Sequence, residues 1–266
     1  MTKILVCNPE YFKISYEINP WMSVENQSDK DLVKIQWNVL VEKLKQAGAE
    51  VFEMKGEPDL PDLVFTANAG LVLPNKKVVL SKFKFPERQP ERYFYHKWFS
   101  ENGYEIIKDP YPENTSWEGA GDALYQDDVL FLGAGFRSDR LASYNRNWWN
   151  LWGKTCFYMN LKDPYFYHLD TCFCPLPNKH ALIYPPAFEK NMLESLAKTL
   201  KLLEVCEEEA KKFACNAVCI ENTVIIPSGC PKSKSILNEA GFDVLDTDMS
   251  EFMKSGGAAK CLTLRI

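Results

Sequence analysis

The chain has 266 residues, of which 46% are hydrophobic and 25% charged, enough apolar material for a large core. Its net charge is −5 with no long basic run, which argues against nucleic acid or an anionic membrane as partner and leaves a small cationic substrate open. No apolar run approaches the roughly 18 residues of a membrane span, and residues 1–6 read as a strand rather than a leader, so a soluble cytoplasmic protein is expected. Nine cysteines, an odd count without a secretion pattern, argue against a disulfide framework. Cys172 and Cys174 belong to an apolar run, and Cys215 and Cys219 come without a nearby His pair, so no metal is expected.

Taken in order, the chain repeats one pattern: two short β runs joined by a turn, a helix, and another strand. The first full case has strands at 69–73 and 78–80 around Pro74-Asn75-Lys76-Lys77, a helix within 86–102 ended by Gly103, and a strand at 104–107. The second has strands at 123–125 and 129–132, a helix from about Arg140, and a strand at 155–158. The third runs through 172–174, the turn Pro177-Asn178-Lys179, 181–184, a helix near Glu189, and 202–205. A short helix at 207–213 leads to the fourth, with strands at 218–220 and 223–226, a helix at 232–240 and a strand at 242–245. A fifth unit is needed, and its parts lie at opposite ends: the tail around Cys261 supplies one strand, residues 4–6 pair with it, and helix 31–47 and strand 50–52 follow.

The polar heads of these units are Asn68, Asp122, Asp170 and Asn216, spaced 54, 48 and 46 residues apart, and Cys261 stands 45 further on. A fixed period whose last unit joins the termini points to a closed ring of repeats, a five-bladed α/β propeller in one domain over residues 1–266. A two-domain α/β chain is the alternative, although no Pro-, Gly- or Ser-rich linker supports it.

Corresponding positions of a ring converge near its axis, and here they are polar. Taken by itself, Cys261 reads as a buried cysteine on an edge strand. The other heads change that reading, joined by Glu118, four residues before Asp122 in a Gly-rich turn, and His168. Two residues before Asp170, His168 is expected to share a strand face with it. Carboxylates facing one cleft hold a planar guanidinium by paired hydrogen bonds. A bound cation favours the Cys261 thiolate, and His168 protonates the departing amine and then activates water.

On Asp62-Leu63-Val64-Phe65-Thr66-Ala67-Asn68, Glu118-Gly119-Ala120-Gly121-Asp122, His168-Leu169-Asp170-Thr171 and Gly257-Ala258-Ala259-Lys260-Cys261, the chain resembles the guanidine-modifying superfamily. That group holds arginine deiminases, dimethylarginine dimethylaminohydrolases, amidinotransferases and bacterial arginine dihydrolases. The resemblance implies the pentein fold, a five-bladed pseudo-symmetric propeller of ββαβ units. It also implies catalytic Cys261, His168, Glu118 and Asp170, with Asn68, Asp122, Arg137, Arg88 and Asn19 as substrate contacts. Arg137, helped by Arg88, corresponds to the clamp on a substrate α-carboxylate, and no cofactor is implied. Asn68 in place of the aspartate of deiminases, the extra residue in Glu-Gly-Ala-Gly-Asp, and Ile18-Asn19-Pro20-Trp21 are similar to the dihydrolase branch, which turns arginine into ornithine, carbon dioxide and two ammonia. A deiminase or dimethylarginine hydrolase stopping at citrulline is the alternative, and a non-catalytic binding module of the same fold is a third. The aromatic stretch 144–152 either packs internally or covers a subunit contact, which leaves a homo-oligomer open.

Overall fold

The computed structural model describes residues 1–153 and 155–266. Its strands form five separate three-stranded sheets, all with the same internal order. The chain opens with β1 (Lys3–Cys7), helix α1 (Lys30–Gln46) and β2 (Glu50–Met54). The next unit is β3 (Gly70–Leu73), β4 (Lys77–Leu80), α2 (Glu91–Glu101) and β5 (Glu105–Ile107). The third is β6 (Ala123–Gln126), β7 (Val129–Ala134), the short helices α3 (Arg140–Ser143) and α4 (Asn147–Trp152), and β8 (Thr155–Asn160). The fourth is β9 (Phe173–Leu176), β10 (His180–Ile183), α5 (Lys190–Leu196) and β11 (Lys201–Glu204). After α6 (Glu207–Ala210) come β12 (Val218–Ile220), β13 (Thr223–Pro227), α7 (Pro231–Glu239) and β14 (Asp243–Thr247). Helix α8 (Ser250–Met253) then leads to β15 (Leu264–Arg265).

In each sheet the first strand pairs antiparallel with the second, which pairs parallel with the third. The parallel pair needs a crossover, and a helix supplies it every time. The fifth sheet draws its first strand from the far end of the chain: β15 pairs antiparallel with β1, Ile4 against Arg265 and Leu5 against Leu264. Among the described residues, no helix is long and apolar enough to cross a membrane.

Local chemistry explains these elements. Asp29 caps α1 by accepting from the Asp31 and Leu32 amides, and Val33, Trp37, Leu40 and Leu44 form its buried stripe. Asn75-Lys76 and Asn178-Lys179 have consecutive positive φ angles, the geometry of tight hairpin turns, which asparagine tolerates best after glycine. Four apolar clusters fill the spaces between sheets, with Trp117 and Trp148 stacked at 4.7 Å in one of them. Within 144–152, Trp148 and Trp152 are buried and Trp149 is exposed.

Three expectations are corrected. Helix α2 begins at Glu91 rather than near Pro86, because proline disfavours helical backbone in the residue before it and Pro86 and Pro90 keep 84–90 in turns. The short helix expected over 207–213 ends at Ala210, and Phe213 turns to a positive φ. Cys261 lies on a turn three residues before β15 rather than on a strand.

Candidate active site

Short 3-10 turns enter the first strand of three sheets: Thr66–Ala69, with Asn68, before β3; Gly119–Gly121, followed by Asp122, before β6; and Leu169–Thr171, with Asp170, before β9. Such turns are tighter than an α-helix and aim successive side chains in different directions. His168 and Asp170 therefore do not share a strand face as expected. His168 precedes the turn and points toward Glu118, while Asp170, inside it, points toward Cys261. The structure nonetheless gathers the expected catalytic residues into one buried region. Cys261 is 4% exposed and His168 1%, while Glu118 and Asp170 are fully enclosed.

One half of this region is knitted by charge. Glu118 Oε2 is 2.8 Å from His168 Nε2 and accepts from Arg137 Nη1 at 3.0 Å, and its Oε1 accepts from the Lys84 amide at 3.1 Å. Burial alone would raise its pKa, but Arg137, His168 and Arg88 outweigh that and hold the carboxyl well below the usual range. A ring nitrogen facing only carboxylate oxygens carries a hydrogen, so Nε2 donates and Nδ1 is left for chemistry. Gly121 lies against that ring: a Cβ there would press on the Asn68 amide and come within 3.2 Å of His168 Nδ1. Arg137 also donates to Ile18 O at 3.1 Å and lies between the rings of Phe85 and Tyr167, each 4.8 Å away. Arg88 forks onto Glu91 at 2.7 and 2.8 Å and donates to Asn68 Oδ1 at 2.9 Å. Asn68 Nδ2 in turn donates to Glu118 O at 3.2 Å.

The other half is under-compensated. Asp170 Oδ2 lies 3.4 Å from Cys261 Sγ, while Oδ1 has no hydrogen-bond partner among the described residues. The same holds for Asp122 Oδ2, 3.9 Å from His168 Nε2, and for Asp62 Oδ1. Burial pushes the Asp170 carboxyl up to about 6 despite the opposing pull of Lys260 and His168, and it raises Asp122 and Asp62 as well. Burial and the facing Asp170 charge likewise push the Cys261 thiol well up. A second positive charge brought here would reverse both effects.

Asn19 lies at the covering segment: its Nδ2 donates to Ser255 O at 3.1 Å, and its Oδ1 accepts from the Trp21 amide. Gly256, at φ +83°, packs so tightly here that a Cβ would reach 2.8 Å from Asn19 Oδ1 and 2.9 Å from the Tyr167 hydroxyl.

Sequence reasoning missed several participants. Asp62 has no sequence signal of its own beyond the motif that contains it, and the Tyr16 hydroxyl and Ser255 Oγ are also buried without a hydrogen-bond partner among the described residues. Glu91, which neutralises Arg88, follows it at the helical i, i+3 spacing and was findable. Lys260, beside the nucleophile, lines a pocket of about 80 Å³. Leu71, Leu124, Cys174, Val218 and Leu264, one from the first strand of each sheet, help to line that cavity. Burial lowers the Lys260 pKa, with Asp170 and Cys261 opposing.

A cysteine and a histidine set among buried carboxylates with spare oxygens make a site for nucleophilic attack on a cationic carbon. The family described as N,N dimethylarginine dimethylhydrolase, eukaryotic, matches residues 8–266, and the chain belongs to this family. It is 41% identical to the bifunctional arginine dihydrolase/ornithine cyclodeaminase AgrE of Nostoc sp., over 99% of this chain and 38% of AgrE. It is 34% identical to the N(G),N(G)-dimethylarginine dimethylaminohydrolase of Mycobacterium tuberculosis, over 97% of this chain and 83% of that protein. Among solved structures, the N-terminal domain of ArgZ, a cyanobacterial arginine dihydrolase, was captured with its product. It superposes with a TM-score of 0.92 at 40% identity, covering 99% of this chain and 97% of that one. A variant of the same domain was solved covalently bound to a reaction intermediate, with the same TM-score and identity and covering 100% and 97%. The chain thus spans well under half the length of the bifunctional AgrE.

Proposed function

We propose that the protein is a cysteine-dependent C–N hydrolase acting on the guanidinium of free L-arginine and giving ornithine, carbon dioxide and two ammonia. The carrying observation is Cys261 Sγ at 3.4 Å from Asp170, in a buried region where Asp170, Asp122 and Asp62 each keep a carboxylate oxygen without a hydrogen-bond partner among the described residues. Buried unpaired carboxylates are costly, and a planar cation with several N–H donors is the ligand that repays them.

Asp170 and Asp122 receive guanidinium N–H groups, and the arriving charge lowers the Cys261 pKa. The thiolate attacks the guanidinium carbon, His168 protonates the departing ammonia, and a thiouronium joins the substrate to Sγ. Water, deprotonated by His168, adds to that carbon, and expulsion of the thiolate leaves citrulline. A second attack, on the ureido carbon, expels the other ammonia and leaves a thiocarbamate. Its hydrolysis frees the ornithine carbamate, which breaks down to ornithine and carbon dioxide. Glu118 holds the His168 ring in place through Nε2. Arg137 and Arg88 take the α-carboxylate, Asp62 Oδ1 the α-ammonium, and Asn19 lies at the entrance.

Asn68 fits the second round. Its amide is anchored between Arg88 and the Glu118 carbonyl, so the position is neutral and fixed, and a neutral ureido group meets no added charge there. The family match and the 34% identity to a dimethylarginine dimethylaminohydrolase favour a second reading, release of citrulline after one round. Incubation with L-arginine and with dimethylarginine, following ammonia, citrulline and ornithine together, decides between them. Ornithine with two ammonia per arginine is expected; citrulline with one ammonia overturns the dihydrolase reading.

The same reading takes the five sheets as the blades of one ring, a single domain over 1–266 in which β15, β1 and β2 join the ends. Their shared strand order and the cavity lined by all five first strands support it, and a crystal structure tests it. Nine free cysteines suit a reducing cytoplasm, which localisation of the tagged protein checks.

A further inference from the structure

Asn216 heads its unit in phase with Asn68, Asp122 and Asp170, yet the mechanism above gives it no part. It is fully enclosed, and its side chain uses every hydrogen-bonding position an amide has. Oδ1 accepts from the Ala258 amide at 3.1 Å and the Cys261 amide at 3.2 Å. Nδ2 donates to Asp170 O at 3.0 Å and faces Cys261 Sγ at 3.1 Å. The orientation is forced: a flipped amide would set its NH2 against two backbone groups that can only donate.

The two neighbours of the sulfur are therefore opposite in kind. Asp170 Oδ2 can only accept from a thiol, and it repels a thiolate. Asn216 Nδ2 can only donate, and it is best satisfied by a thiolate. We propose that Asn216 is a further catalytic residue, which fixes the Cys261 turn through its oxygen and donates to the nucleophile's sulfur through its nitrogen. The donation counts twice in the reaction proposed above, on which this inference rests. It favours the thiolate that attacks, and it favours the same thiolate when hydrolysis expels sulfur from carbon. The thiol proton is released to solvent before attack, and Asn216 itself exchanges no atom.

Asn216→Asp keeps Oδ1 and the shape of the side chain while removing the donor, so it separates the two roles. The readout is the pH dependence of Cys261 alkylation by iodoacetamide, followed on the Cys261 peptide by mass spectrometry, with turnover measured alongside. In Asn216→Asp the alkylation profile is expected to move up by about one pH unit, roughly tenfold slower at fixed pH. Turnover should fall about a hundredfold, and the added buried carboxylate should lower the thermal midpoint. Asn216→Ser, shorter and neutral, should show the same direction and serves if the aspartate variant does not fold. An unmoved alkylation profile in the folded variant overturns the proposal, even if turnover falls, because it leaves Asn216 only the holding of the turn. Alkylation needs no substrate, so failure of the arginine reading would appear separately, as a wild-type protein without turnover.

Discussion

Two halves of the site treat their buried charges differently. Around Glu118, each carboxylate oxygen meets a positive group or a backbone N–H, and the charged form is favoured by Arg137, His168 and Lys84 N–H. Asp170, beside Cys261, and Asp122, beside His168, each keep an oxygen without a hydrogen-bond partner among the described residues, and their ionised forms are disfavoured. The first half is finished as folded and positions the histidine. The second is left open as folded. Unsatisfied buried groups in a native structure call for a reason, and the proposed guanidinium substrate would supply one.

The contrast is testable, starting with the largest effect. Cys261→Ser should abolish turnover, a loss of more than about a thousandfold, and leave circular dichroism unchanged; retained turnover removes the nucleophile assignment. Next come the two carboxylates. Glu118→Gln breaks a buried charge cluster and should cost about 3–5 kcal/mol in denaturant unfolding as well as most of the activity. Asp170→Asn should lose activity to a similar degree with stability unchanged or higher, because it removes a charge that the fold does not pair. Equal destabilisation of both variants would erase the distinction between the halves.

A third effect is smaller and depends on pH. A carboxyl held up to about 6 keeps its proton in the fold after the unfolded chain has lost it. Between about 4 and 6 the folded state therefore binds more protons, and stability should fall as pH rises through that window, by about 3 kcal/mol in total. Asp170→Asn should flatten this slope in pH-dependent unfolding, while wild-type kcat/KM should rise across the same range as Asp170 ionises. The smallest change is expected from Asn68→Asp. It puts a third acid beside Arg88, after Glu91 and Asp62, and an oxygen against Glu118 O, and should shift product toward citrulline with less than about a tenfold loss of arginine consumption. Product ratios by chromatography check it.

The repeat was legible because turn chemistry and apolar runs are local: Pro-Asn-Lys recurs at two hairpins, and both read correctly from sequence. The heads were legible by phase alone, which brought Asn68, Asp122, Asp170, Asn216 and Cys261 together before any geometry was known. Direction was not legible. That His168 turns to Glu118 while Asp170 turns to Cys261 follows from a three-residue 3-10 turn, too short to leave a periodic signal. Nor do spacings reveal which acids stay unpaired. Asp62 and Glu91 look alike in sequence, yet one keeps a spare oxygen and the other is forked onto Arg88.

The pairing of β15 with β1 also sets a timetable. Cys261 is held by the Ala67 amide, by Asn216 and by a turn that ends in a strand docked on residues 4 and 5. During synthesis β1 and β2 emerge early with one edge unpaired, and that edge waits until residues 264 and 265 have been made. Contacts so distant in sequence form late, because the connecting chain must already be ordered. The expected sequence is a nearly complete scaffold that gains its reactive sulfur last. Truncation before Leu264 should then leave Cys261 as open to alkylation as an unstructured thiol. Such an order keeps the Cys261 sulfur from being set among its partners until the chain is nearly complete.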